Sequence, residues 1–444
     1  MPETRESVPS WLESSHNFQH LTTVLSTLAK RERNRKAARS ASKHHSHPSK
    51  LHRARHIASS VQTNPEHVAY YSVAAGSDTD NLPFNRYSDI FPYDRTRVVV
   101  CSGDHEDNPC GSACQEGRYL NGNWVRELAG GKWWIAMQAP LPQTAHTFLS
   151  SLLEGVSPPP ASDSSPSSAA SPQPASNLRR ERRIRTVVQL TKDLESGMRK
   201  AHAYFPPIVG QSWVVEPGPA GGAPIEVTLV RSQTIDAAHC VHSIVRLQPL
   251  SSPAAPSSPR IRAPVGKPVL FQHLLYVSWP DHGVPAGEDR MALLHFAKLV
   301  DAANRDRTAL DADASIAPSD PTSLNPDPPI VAGCSAGVGR TGTFIALCSL
   351  LRHYGFLAPP GSGSGTEELG TQAQAHVPTP GPLPESPLGP LPEELQGDMI
   401  AKEIDALREQ RPYMVERDDQ VLMVYESLIA AFASASDANA KDRV

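Results

Sequence analysis

No stretch of this chain approaches the ~20 apolar residues that a bilayer-spanning helix needs, and Met1 to Glu6 do not begin a secretory leader. The sequence therefore predicts a protein without a membrane span, placed in the cytoplasm. Cysteine is scarce. Six residues in 444, at positions 101, 110, 114, 240, 334 and 348, exclude a disulfide scaffold and suit a reducing compartment. An excess of positive charge is missing too: 42 Lys and Arg against 46 Asp and Glu leave a net charge of −4, so nothing global points to nucleic acid.

Proline, by contrast, is abundant. The 43 prolines gather in Ser/Pro/Gly tracts that cannot enter a core. These tracts, at about 156–180, 250–266, 305–328 and 358–395, are predicted to be disordered insertions within one domain spanning 61–435. Residues 1–60 read as a partly disordered helical and basic region, and 436–444 as a polar tail. Phe18, Leu21, Val24, Leu25 and Leu28 predict a helix from 18 to about 42. The run Lys30 to Lys36 is expected to be a solvated helix end, with a nuclear import signal, and hence a second location, as its functional alternative. Lys43 to His47 reads as linker, and Cys101, His105, Cys110 and Cys114, lacking any C-x2-C pair, as an unliganded loop.

Strand patterning is expected at 98–100, 184–190, 212–215, 225–231, 241–248 and 269–276, with helices over 287–303 and 400–410. A last helix begins near Asp418 and frays from Ala430. The chemistry centres on Ile330 to Leu351. There an apolar strand, Ile330 to Ala332, enters a turn of small residues that feeds a helix carrying Phe344, Ile345, Leu347 and Leu350. Small residues between Cys334 and Arg340 let successive N–H groups face one concavity, and the helix dipole adds positive potential, so an anion belongs there. The same donors favour a thiolate, which makes Cys334 a candidate nucleophile. Arg340 supplies a planar guanidinium able to hold two phosphoryl oxygens. Gly337, Gly339 and Gly342 also spell G-x-G-x-x-G, but a dinucleotide fold needs a second strand beyond the helix, and Ala358 to Gly365 cannot form one.

Cys334, five residues, Arg340, Thr341 and Gly342 resemble the C-x5-R-[S/T]-G signature of the cysteine-dependent protein tyrosine phosphatases, in their phosphotyrosine-specific branch. The resemblance extends over roughly 70–435. Asn85 to Asp94 resembles the family's phosphotyrosine-recognition loop; Tyr119 to Asn123 and Lys132 to Gln143 resemble its strand motifs. Trp279 to Pro285 is identical to its W-P-D-H-G-V-P loop, and Arg411 to Gln420 resembles its glutamine loop. Two positions depart from the pattern: Gly333 replaces the histidine usual before the cysteine, and Glu416 replaces the first, water-positioning glutamine.

The resemblance implies an α/β fold with a twisted mixed β-sheet flanked by helices, and hydrolysis of phosphotyrosine in proteins within phosphotyrosine signalling. It implies Cys334 as nucleophile, Arg340 as phosphate clamp, Thr341 as donor to the departing thiolate, and Ser335, Ala336, Gly337, Val338 and Gly339 as phosphate-binding residues. Asp281 becomes the general acid of the first step, needed because a phenolate whose acid has a pKa of ~10 leaves poorly, and the general base toward water in the second. Tyr87 makes the pocket deep enough to disfavour phosphoserine, and Asp89 binds the peptide backbone. Gln420 orients water in the second step. No metal or other cofactor is expected, since the loop and Arg340 supply the positive field. A carboxylate at Glu416, ~8 Å from a phosphoryl charge, would cost on the order of 2 kcal/mol at an effective dielectric of ~20. It should therefore turn outward to Arg417 or Arg411, or else slow the second step. The second reading of the whole chain is a phosphotyrosine-binding pseudophosphatase in which the two departures have removed turnover.

Overall fold

The computed structural model describes residues 8–15, 17–46, 64–100, 117–156, 183–218, 221–251, 262–281, 283–306, 325–361 and 385–441. Nine strands form one sheet: β1 (Arg97–Val100), β2 (Arg118–Arg126), β3 (Trp133–Gln138), β4 (Thr186–Gln189), β7 (Ser212–Val215), β8 (Ile225–Ile235), β9 (Cys240–Pro249), β10 (Val269–Tyr276) and β11 (Ile330–Cys334). Between β4 and β7 a separate hairpin pairs β5 (Leu194–Glu195) with β6 (Met198–Arg199). The sheet order is β1-β2-β3-β11-β4-β10-β9-β8-β7. Its centre, β3-β11-β4-β10, is parallel, and both flanks are antiparallel. The mixed sheet expected from the sequence is thus present.

Six longer helices accompany it: α1 (Phe18–Ser46), α2 (Ala145–Glu154), α3 (Glu288–Arg305), α4 (Gly339–His353), α5 (Met399–Gln410) and α6 (Asp418–Lys441). Alternation along β11 explains why both faces are covered. Ile330, Ala332 and Cys334 join the core built with Phe296 of α3, Phe344 of α4, Ile404 of α5 and Val424 of α6, while Val331 joins the opposite core with Phe148 and Leu149 of α2. Phe344 is fully buried edge-on to Trp134, so truncating it to alanine should cost about 3–5 kcal/mol.

Several expectations are corrected. The basic run in α1 is solvated on one side only: Lys30, Arg33 and Lys36 are exposed, whereas Arg31, Arg35 and, beyond the run, Arg39 are 9%, 0% and 4% exposed. Arg31 donates to Asp405 (2.9 Å), Arg35 to Asp405 (2.5 Å) and Glu409 (2.6 Å) of α5, and Arg39 to Tyr93 (2.8 Å) and Glu32 (2.7 Å). Recurrence every four residues places the three arginines on one helix face. Burying them is tolerable because each finds a carboxylate. α6 continues to Lys441, with Ala431 and Phe432 buried, rather than fraying at Ala430.

Most of the four Pro/Ser-rich tracts, together with Cys101 to Cys114 and His47, lies outside the described residues, as do the side chains of His44 to Ser46. The described edges of the tracts are packed. Leu391 and Leu395 enter the main core, and Asp327 ion-pairs with Lys132 and, at 3.3 Å, Arg305. Among the described residues no helix is long and apolar enough to cross a membrane.

Candidate active site

The turn from β11 into α4 opens at the carboxyl ends of the parallel strands, where ligands bind in open α/β sheets. Gly337 has φ of +71°, and a Cβ there would lie 2.0 Å from the Met137 carbonyl oxygen, so only glycine fits. Arg411, fully buried, fixes the outer side of the turn by donating to the carbonyls of Ala336 (2.9 Å) and Gly337 (2.7 Å) and to Asn121 (3.0 Å) and Asn123 (2.9 Å) of β2. With carbonyls drawn outward, the N–H groups are left to the concavity. The Gly337 N–H indeed donates to Cys334 Sγ at 3.3 Å. Burial pulls the Arg411 guanidinium down to about 10, against the opposing influence of Tyr119 and Cys334, so it stays charged at neutral pH.

Val338 caps α4 without a side-chain hydrogen bond, which leaves the helix amino end to an anion. Thr341 is wholly buried beside it, and its hydroxyl has no hydrogen-bond partner among the described residues.

Arg340 is gripped from the hairpin that the sequence reading missed. Its Nη1 and Nη2 donate to Glu195 Oε1 (2.7 Å) and Oε2 (2.8 Å), while Thr191 donates to Oε1 from behind (2.7 Å). Burial pushes the Glu195 carboxyl up, but the bonds from Arg340 and Thr191 outweigh it and hold the group below its ordinary range. The sequence signal was slight: a Ser196-Gly197 turn, with φ of 45° and 77°, between two-residue strands.

The segment around Asp281 is tied to the same guanidinium, since Arg340 Nη2 donates to the Pro280 carbonyl at 3.2 Å. Trp279 is buried edge-on to Tyr276, which anchors one end of the loop, and Gly283 has φ of +92° at the bend. Lys200 brings Nζ to 3.6 Å from Asp281 Oδ1.

Tyr87 meets the phosphate loop directly, its hydroxyl 2.7 Å from Ser335 Oγ. Because Ser335 donates to the Lys200 carbonyl (2.8 Å), Tyr87 is the donor. Gln138 at the end of β3 holds the segment in place, accepting from Arg86 N and donating to the Phe84 carbonyl, both at 2.8 Å. Asp89 is exposed at the rim.

Glu416 arrives from the loop before α6, and Gln420 from the first turn of that helix. A Cβ on Gly339 would lie 2.9 and 3.0 Å from the Gln420 head and 3.3 Å from Glu416 Oε2, so both side chains close on the phosphate loop. Glu416 is at the same time an exposed residue, with solvent beside it at the rim. Arg417 pairs with Asp419 at 2.8 Å, and Arg411 is committed as described. At Gly333, a Cβ would meet the Met137 carbonyl oxygen at 2.9 Å. No group of three or more His, Cys, Asp or Glu suited to a metal ion occurs among the described residues.

The family profile described as "Protein-tyrosine phosphatase" matches residues 81–155 and 180–355. The chain is 27% identical over 277 residues to tyrosine-protein phosphatase non-receptor type 18 of Mus musculus, covering 62% of this chain and 43% of that protein. It is 24% identical to non-receptor type 20 of Rattus norvegicus, covering 64% and 48%. Against human receptor-type tyrosine-protein phosphatase H the identity is 26%, over 84% of this chain and 23% of that one. The chain thus spans less than half the length of these relatives. In fold it is similar to the crystal structure of the catalytic domain of human protein tyrosine phosphatase non-receptor type 18, with a TM-score of 0.52 and 19% identity over 95% of this chain and 99% of that one. With its fold, its cysteine loop and a matching profile over more than half its length, the chain belongs to the protein-tyrosine phosphatase family.

Proposed function

We propose that this chain hydrolyses phosphotyrosine in proteins through a cysteinyl-phosphate intermediate, and that it does so in the cytoplasm. The observation that carries the reading is the bond from Arg340 to the Pro280 carbonyl, which joins the acid-bearing segment to the phosphate loop in one pocket. In the first step Cys334 Sγ attacks phosphorus in line. The P–O bond to the phenol breaks, and Asp281 gives its proton to the departing oxygen. Arg340 and the N–H groups from Ser335 to Gly339 hold the equatorial oxygens, where charge gathers. Thr341 and the Gly337 N–H stabilise the thiolate when sulfur leaves in the second step. Tyr87 at the rim sets the depth of the pocket, so that a phosphorylated phenol reaches Cys334 and a phosphoserine does not; Asp89 beside it takes the peptide backbone.

Steady-state assay of the protein on a phosphotyrosine peptide and its phosphoserine counterpart, without added metal, tests the reading. Turnover of the first alone is expected. Cys334→Ser should abolish turnover while phosphopeptide binding survives, because a hydroxyl stays protonated where a thiol ionises. Retained hydrolysis in that variant would overturn the covalent mechanism.

A further inference from the structure

A turn at the edge of the 358–395 tract is wedged between α1 and α5. Ser386, Pro387, Leu388 and Gly389 form it: the Gly389 N–H donates to the Ser386 carbonyl at 2.9 Å, with proline at the second position and Gly389 at φ of +68°. The carbonyls of Leu388, Gly389 and Pro390 then accept from Arg31 of α1 at 3.2, 2.8 and 3.3 Å. The Ser386 hydroxyl donates to Glu409 Oε1 of α5 at 2.9 Å, lies 3.4 Å from the Tyr71 hydroxyl and accepts from Leu388 N at 3.2 Å. Glu409 Oε1 is also the oxygen that Arg35 of α1 holds at 2.6 Å. One serine hydroxyl thus sits at the joint of the two helices.

We propose that Ser386 is a phosphorylation site for a proline-directed serine/threonine kinase, and that phosphate there releases α1 from α5. The γ-phosphoryl group of ATP passes to Ser386 Oγ, its bond to the bridging β-phosphate oxygen breaks, ADP leaves and the hydroxyl proton goes to the base of the kinase. Among the described residues Ser386-Pro387 is the single Ser-Pro or Thr-Pro pair. The residue is half-buried, and neither helix nor strand holds the turn, so a local opening presents the hydroxyl to a kinase. Closing again is then opposed. The phosphate carries about −1.5 to −2 charges and would have to return to the Glu409 carboxylate, to which the hydroxyl had donated. Arg31 and Arg35 cannot turn to it without leaving Asp405 and Glu409, which hold them at 2.9, 2.5 and 2.6 Å.

Release of α1 reaches the pocket through the last turns of that helix. Arg39 donates to the Tyr93 hydroxyl at 2.8 Å and lies 4.4 Å from the centre of the Tyr413 ring, while Lys43 Nζ lies 4.2 Å over the Phe91 ring. Phe91 and Tyr93 follow Tyr87 and Asp89 in the recognition segment, and Tyr413 precedes Glu416 and Gln420. α1 therefore braces both segments that form the substrate mouth. Loosening it weakens the hold on a peptide, which spans the rim, and spares a small aryl phosphate, which needs only the phosphate loop. The effect on peptide binding rests on the phosphotyrosine reading above; the release of α1 does not.

The test treats the full chain with a proline-directed kinase and ATP and locates phosphate by peptide mass spectrometry; a second preparation carries phosphoserine placed at 386 by codon suppression. Ser386 should be modified. In the phosphoserine form, amide hydrogen exchange in Phe18–Ser46 should be about tenfold faster. KM for a phosphotyrosine peptide should rise about tenfold, with kcat/KM for a small aryl phosphate within about twofold of the parent. Ser386→Ala, which keeps the turn but offers no acceptor, should show the same exchange in α1 before and after kinase treatment, although Ser-Pro pairs elsewhere in the chain remain. An unmodified Ser386, unchanged exchange in α1, an unchanged peptide KM, or loosening of α1 in treated Ser386→Ala would overturn the proposal. Absence of any peptide hydrolysis by the parent would instead overturn the phosphotyrosine reading, and hydrogen exchange would still decide whether phosphate at Ser386 releases α1.

Discussion

Glu195 and Arg340 form a two-pronged carboxylate–guanidinium pair, with both oxygens and both terminal nitrogens engaged at 2.7 and 2.8 Å. The pair fixes the plane of the guanidinium before substrate arrives, leaving less to be ordered in the transition state. Glu195→Gln keeps the shape but sets an amide N–H against an arginine N–H. It should lower kcat/KM on a phosphotyrosine peptide by about 10- to 100-fold with little change in Tm. Undiminished kcat/KM would mean that Arg340 orients itself without the hairpin.

Asp281→Ala separates leaving groups. Turnover of phosphotyrosine should fall by about 10²–10⁴, while an aryl phosphate whose phenol ionises readily should be affected far less. Equal losses on both would take the acid role away from Asp281.

Restoring histidine at position 333 should do harm. The added Cβ would press on the Met137 carbonyl of the neighbouring strand, and backbone cannot yield as a side-chain tip can. Gly333→His is expected to cost about 1–3 kcal/mol of stability without raising kcat/KM. A variant as stable as the parent and more active would show that β3 gives way easily.

His273 makes the sheet sensitive to acid. It lies within β10, with its ring edge-on to Tyr204 and Phe205 and 3.2 Å from Gln189 Oε1, and burial holds it down to about 3. The unfolded chain binds a proton at about 6.5 that the folded chain refuses, so this stability is present above pH 6.5 and is lost as pH falls toward 3. At pH 5 the loss is about 2 kcal/mol. The drop in Tm between pH 7.5 and pH 5 should therefore be smaller for His273→Gln than for the parent. Parallel drops would assign the sensitivity to other groups.

What could be read in the sequence was whatever is contiguous. Val269–Tyr276 and Ser212–Val215 are strands with the expected bounds because each is a short run of strand formers closed by turn residues. Cys334 and Arg340 share one loop, and that loop together with the Trp279 to Pro285 segment pointed to the chemistry before any coordinate. The brace at Glu195 was hidden because two-residue strands have no period to detect. The arginines of α1 looked solvated because a charge run says nothing about partners in distant sequence; only the spacing of 31, 35 and 39 hinted at a single buried face. Asp327, Leu391 and Leu395 were masked by the prolines around them, since composition describes a tract and not its ends.

The pairing of α1 with α5 also bears on how the chain is made. Arg31 and Asp405 are 374 positions apart, as are Arg35 and Glu409. At roughly 5–20 residues per second on the ribosome, α1 emerges on the order of tens of seconds before its carboxylates exist. Throughout that interval three arginines destined for the interior face water, and Val24 and Leu28 have no α5 to cover them. α1, near the start of the described chain, is among the last parts able to dock. The nascent chain therefore carries an open apolar and cationic stripe that chaperones, or any acidic surface nearby, can occupy until synthesis reaches Glu409.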